Sequence, residues 1–141
     1  MSSKTKTENI LIIVKDYLQN QSDVVAAYIF GSVARGCSGP ASDVDVAILF
    51  APTLTTKTAR FERRLELAVA LEELLKRPVE VIDLEGAPPF LQHQIRKDGK
   101  LILDKDPQRR KAFEVTARRY YLDMLPFYRK RTAILLEKLG K

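Results

Sequence analysis

At 141 residues and 16.0 kDa, with 45% hydrophobic and 30% charged residues, the chain has the size and make-up of one globular domain. No apolar run approaches the roughly 20 residues that span a bilayer, and the Ile10–Val14 run lacks the form of a signal peptide. The net charge of +6 is uneven: residues 1–106 hold 14 Lys/Arg against 15 Asp/Glu, residues 107–141 hold 10 against 3. A single cysteine, Cys37, excludes an internal disulfide and points to a reducing, cytoplasmic setting.

Taken in chain order, Ile10, Ile13, Val14, Tyr17 and Leu18 predict a helix, with Thr7 placed to cap it. Val24 to Phe30 predicts a strand that Gly31 stops, and Gly36 to Pro40 predicts an irregular loop. Asp43 to Phe50 predicts a second strand, ended by Ala51-Pro52. Residues 57–77 predict a long helix whose stripe is Phe61, Leu65, Ala68, Leu71 and Leu75. Pro78 ends it, and Val79 to Leu84 predicts a third strand. A short helix from Pro88 to Lys97, stopped by Gly99, precedes a brief fourth strand, Lys100 to Asp104. Asp106-Pro107 predicts a helix start and Gly140 its stop, with Pro126 expected to kink or divide the helix between them. The order implies an α/β (α+β) fold: one small mixed sheet of about four strands, flanked by helices. Two parts are expected, a core over 1–106 and a basic, aromatic helical extension over 107–141.

Asp43 and Asp45 carry the strongest chemical signal. Two residues apart on a strand, they share a face about 7 Å from each other, where ionised carboxylates repel unless a cation relieves them. Hard divalent cations such as Mg²⁺ take carboxylate oxygens and arrive with nucleotide phosphates, and a pair of ions can clamp attacking and leaving oxygens. The bland alternative is a pair of solvated strand-edge charges. The preceding Gly31-Ser32 turn favours the site. A glycine lets the backbone approach a ligand, and the serine adds a hydroxyl beside the backbone N–H groups. Asp83, on a face with Val79 and Val81, is a candidate third ligand or general base, or else a strand-end cap facing water. Arg35 either reaches a phosphate or is a surface arginine.

Gly31-Ser32, ten intervening residues, then Asp43-Val44-Asp45 resembles the signature of the DNA polymerase beta-like nucleotidyltransferases. The fuller string GSVARG…SDVDVAILF looks like their smallest members, the minimal nucleotidyltransferase (MNT) domains. The resemblance implies the polymerase beta-like fold, ATP as substrate and two Mg²⁺ ions. It implies Asp43, Asp45 and Asp83 as catalytic metal ligands and Gly31 and Ser32 as nucleotide-binding residues, to which the residue reading adds Arg35 as a candidate phosphate contact. Many MNT proteins of this length are antitoxins of HEPN-domain ribonuclease toxins, and family members transfer AMP from ATP to a toxin tyrosine. The resemblance therefore implies a type VII-like antitoxin that neutralises a HEPN partner. Two alternatives stand beside it: a non-catalytic antitoxin that occludes its partner through the tail, and adenylylation of a small molecule.

Around Pro126, the residues Tyr120, Tyr121, Met124, Leu125, Phe127 and Tyr128 lie among five Arg/Lys, the composition of an interface core. The same aromatics could instead pack on the sheet. No nucleic-acid-binding module accompanies the basic stretch. His93 has no metal-ligand spacing and is assigned no role.

Overall fold

The computed structural model describes residues 3–34, 36 and 42–140, with side chains from residue 7 onward. Nine elements follow one another: α1 (Ser3–Gln19), β1 (Val24–Phe30), α2 (Gly31–Ala34), β2 (Val44–Phe50), α3 (Lys57–Leu75), β3 (Val79–Asp83), α4 (Pro89–Asp98), β4 (Lys100–Asp104) and α5 (Pro107–Leu139). The four strands form one mixed sheet in the order β3-β2-β1-β4. β1 pairs antiparallel with both β2 and β4, whereas β2 and β3 run parallel. A parallel neighbour requires a crossover, and α3 supplies it.

Strand alternation divides the core between the two faces of the sheet. Val44, Val46, Ile48 and Phe50 of β2 and Val79 and Val81 of β3 pack with Ile10, Val14 and Leu18 of α1 and with Leu67 and Leu71 of α3. On the other face Ala47 and Leu49 join Tyr28, Leu84, Leu91, Ile95 and Phe113, so α4 and the first half of α5 cover it. A register shift in β1 between Val24 and Ala26 puts Val25 and Ala26 together on the α4–α5 face.

Two helix details differ from expectation. α1 begins at Ser3, so Thr7 lies within it and is buried rather than capping it. In α3, Phe61 and Leu65 are exposed, 51% and 48%, while Leu67 and Leu71 are fully buried. Ala68, Leu71 and Leu75 pack on the core as expected, and Leu67, Arg63 and Arg60 complete the packed face in place of Leu65 and Phe61. The first turns of α3 carry arginines that reach Asp83 and Asp23 at 2.8 and 2.7 Å, so a count of apolar residues misses the packed positions there. α5 is a single helix through Pro126 and is not divided there. Asp106 caps it by accepting from the Arg109 N–H at 3.1 Å.

The first half of α5 belongs to the body. Arg110 pairs with Asp104 and Glu114 at 3.0 and 3.1 Å, Tyr28 donates its hydroxyl to Glu114, and Ala117 is buried. Residues 131–140, by contrast, are exposed throughout. Among the described residues no helix is long and apolar enough to cross a membrane.

Candidate active site

β1 ends at Phe30, and the chain turns at once through Gly31, whose φ of +76° only glycine adopts without strain. The short α2 that follows is held by Val33 and Ala34, both buried, which leaves Gly31 and Ser32 partly exposed above it. Phe30 is paired with Asp45 across the β1–β2 ladder. A Cβ built on Gly31 would collide with the Asp45 carboxylate. The glycine therefore does two things: it bends the chain, and it leaves the space that Asp45 fills.

Asp43 lies one residue before β2 and continues its alternation, so it shares the α4–α5 side of the sheet with Asp45. The approach to β2 is pinned from the crossover. Val44 donates its N–H to the Pro78 carbonyl at 2.9 Å, and Arg77 Nε donates to the Ser42 carbonyl at 3.0 Å. Gly31 and Asp45 are thus brought into contact, with Ser32 next to Gly31 in the turn and Asp43 two residues before Asp45. Arg35 and Cys37 lie outside the described residues.

Asp83 does not join them. In the parallel β2–β3 ladder it stands opposite Ile48, three residues beyond Asp45, or about 10 Å along the strand. It also shares its face with Val79 and Val81, which pack towards α3, away from the face of the aspartate pair. There Asp83 Oδ2 accepts from Arg60 Nε at 2.8 Å, and its Oδ1 is buried without a hydrogen-bond partner among the described residues. Asp83 is the partner of a crossover-helix arginine.

The acid that does stand beside Asp45 is Glu80, its register partner on β3. It is exposed and lines a cleft of about 370 Å³ along the β3 edge, which Phe61, Arg64, Ile82 and Leu91 also line and which Asp83 borders as well. Sequence reasoning passed over Glu80 because its strand offset from the aspartates is set by a crossover whose length does not fix register. The available signal was parity: Glu80 alternates with Val79 and Val81, so it faces the opposite side of the sheet, the side that carries Asp45.

Asp43 and Asp45 supply the oxygen donors that a hard divalent cation takes. Among the described residues no three His, Cys, Asp or Glu side chains are gathered closely enough to hold a metal ion alone. Two carboxylates beside a glycine turn suit an ion whose other ligands come with a nucleotide.

Comparison with known proteins agrees with this geometry. The polymerase beta nucleotidyltransferase family matches residues 13–108, which run from α1 to the start of α5. The protein adenylyltransferase MntA of Shewanella oneidensis is 35% identical over 88 residues; the match spans 62% of this chain and 60% of the relative. The crystal structure of a toxin–antitoxin with AMP-PNP superposes with a TM-score of 0.69 at 28% identity, covering 94% of this chain and 98% of that one. The toxin–antitoxin MntA-HepT gives 0.63 at 26% identity, over 94% and 97% of the two chains. With the family match extending over the sheet, the glycine turn and both aspartates, the chain belongs to the polymerase beta nucleotidyltransferases.

Proposed function

We propose that the protein is an antitoxin that transfers AMP from ATP, with Mg²⁺, to a tyrosine hydroxyl of a cognate HEPN toxin and so silences it. The observation that carries this reading is the Asp45 carboxylate seated against the Gly31 backbone, with Asp43 on the same face. The curated relative named a protein adenylyltransferase and the toxin–antitoxin structures that superpose on nearly the whole chain support the acceptor class.

In this reaction the acceptor oxygen attacks the α-phosphorus of ATP. The bond from that phosphorus to the oxygen bridging to the β-phosphate breaks, and pyrophosphate leaves. The hydroxyl proton passes to a carboxylate of the Asp43–Asp45–Glu80 group or to water. Gly31 and Ser32 present backbone N–H groups and a hydroxyl to the phosphates. Arg35 is proposed to add a cation beside them. Bound Mg²⁺ supplies charge neutralisation at the phosphates and a lowered proton affinity of the attacking oxygen, held by Asp43 and Asp45. We assign the third carboxylate to Glu80 in place of Asp83. ATP as substrate and the single thiol support a cytoplasmic setting.

The division at residue 106 is retained in altered form. The basic, aromatic extension is anchored by its first half, and its far half, with Phe127 and Tyr128 at its start, is the proposed toxin-docking surface, continued backwards by Tyr120 and Tyr121. The exposed apolar residues Ile134, Leu135, Leu136 and Leu139 favour a second reading, occlusion of the toxin by this helix without chemistry.

Labelled ATP, Mg²⁺ and the HEPN protein encoded alongside separate the two. Label appears on the toxin with the wild type and not with Asp43→Ala/Asp45→Ala. Equal labelling by both proteins would sink the catalytic reading, and full protection by the unlabelling mutant would establish occlusion.

A further inference from the structure

Four arginines packed into the body follow one rule, a carboxylate partner: Arg60 has Asp83, Arg63 has Asp23, Arg109 has Glu85, and Arg110 has Asp104 and Glu114. Between α4 and α5 that rule fails. A cleft of about 320 Å³ is lined by His93, Arg96, Lys97, Arg118, Tyr121 and Leu122, with no acid among them. None of its three cations is in an ion pair among the described residues, and Arg96 Nε is buried there without a hydrogen-bond partner. Arg96 has only a 3.5 Å contact from Nη1 to the Glu114 carbonyl. Three cations converging in one cleft repel one another, and an anion bound there would relieve that repulsion.

The aromatic wall narrows the ligand further. His93 and Tyr121 are stacked at 3.8 Å between centroids and 2° between planes. Burial first, then Arg96 and Lys97, push the imidazole below its ordinary value of 6.5, against the opposing pull of Asp98. A flat aromatic stack beside a guanidinium fork suits a nucleotide, base on ring and phosphate on arginine.

The position is also specific. A Cβ at Gly99, which caps α4, would meet the Ile29 carbonyl and the Phe30 side chain, and Phe30 is the strand partner of Asp45. Arg96 and Lys97 stand three and two residues before that contact, on the sheet face that carries the aspartate pair.

We propose that the α4–α5 cleft is a second nucleotide subsite, which binds a nucleoside monophosphate group through Arg96, Lys97 and Arg118. Its occupant is a nucleotide, either free or already joined to the acceptor and held clear of the reacting centre. This deepens the nucleotidyl-transfer reading and rests on it for the nature of the ligand, but binding can be measured without turnover.

The test titrates AMP into the full chain by calorimetry, at low salt and with the divalent cations chelated so that the aspartate site does not contribute. The wild type and Asp43→Ala/Asp45→Ala bind alike, and Lys97→Glu/Arg118→Glu, two exposed positions, binds at least about tenfold more weakly. Lys97→Gln/Arg118→Gln gives an intermediate loss and guards against a folding artefact of charge reversal. A peptide bearing O-adenylyl-tyrosine identifies the source: tighter binding than AMP marks an acceptor-linked nucleotide, equal or weaker binding a free one. Unchanged AMP affinity in both charge variants overturns the proposal, as does displacement of AMP by single-stranded RNA at equal or lower concentration. Loss of label transfer to a toxin with these affinities intact would count against the proposed function and leave the subsite standing.

Discussion

Arg60 on the crossover helix donates to Asp83 at 2.8 Å, and both side chains are largely buried, at 11% and 14% exposure. That pair separates two acids on one short strand. Asp83 is held by Arg60, whereas Glu80, three residues earlier and on the other face, is the register partner of Asp45. Asp83→Asn is expected to lower stability by about 3 kcal/mol, since it leaves the Arg60 cation partly buried and unpaired, with transfer per folded molecule retained. Glu80→Gln is expected to leave the melting temperature within a degree or two and lower kcat on the order of a hundredfold. Thermal melts and single-turnover label transfer on the two variants distinguish the roles.

Gly31→Ala tests the cradle. The new methyl would meet the Asp45 carboxylate, and a φ of +76° strains any residue with a Cβ. A stability loss of about 1–2 kcal/mol is expected from the backbone alone. Activity should fall by more than that loss explains, because the carboxylate is displaced. Parallel denaturation curves and turnover measurements show whether the two effects part company.

Leu71→Ala should cost about 2–5 kcal/mol, as the loss of a fully buried leucine does. Leu65→Ala, at a half-exposed position, should stay within about 0.5 kcal/mol. Urea denaturation of the pair reports directly which side of α3 packs.

Burial first, and the Glu114 carboxylate second, hold the Tyr28 phenol far above its ordinary value of 10.0. In the folded state the proton is retained where the unfolded chain has released it, so this contribution is complete below about pH 10 and is lost as pH rises further. Stability of the wild type should decline from about pH 10 upward, and the decline should be shallower in Tyr28→Phe. Denaturant midpoints between pH 8 and 11 supply the slope.

Residues 131–140 are exposed, whereas Arg110, Glu114 and Ala117 are built into the body. Truncation after Lys130 is therefore expected to leave the melting temperature nearly unchanged while weakening capture of the toxin. Truncation after Asp106 is expected to unfold the chain, because it removes the partner of Tyr28 and uncovers Leu84 and Ile95. Pull-down with the HEPN partner, alongside circular dichroism, checks both.

Much of this organisation was legible in local chemistry. The strands of alternating or continuous apolar residues, the Asp106-Pro107 start and Gly99 and Gly140 stops, and the Gly31/Asp43/Asp45 spacing all depend on neighbours in sequence. What escaped depends on pairings across long separations. Asp83 read as a site residue because the 23-residue link to Arg60 and the parallel register of β3 leave no trace in composition. The first two turns of the α3 stripe were misplaced for a related reason, since arginines with distant carboxylate partners can occupy a packed face, whereas Ala68, Leu71 and Leu75 pack as expected. Tyr121 was singled out as an aromatic and His93 set aside, but their stacking requires α4 and α5 to lie side by side.

The 33 residues of α5 span about 50 Å, longer than the sheet they leave. A helix of that length is a ruler rather than a tether. A protein gripping its far half is presented to the sheet at a set distance and angle, without the search that a flexible linker imposes. Pro126, where one main-chain hydrogen bond is missing, is the graduation at which that angle can be reset.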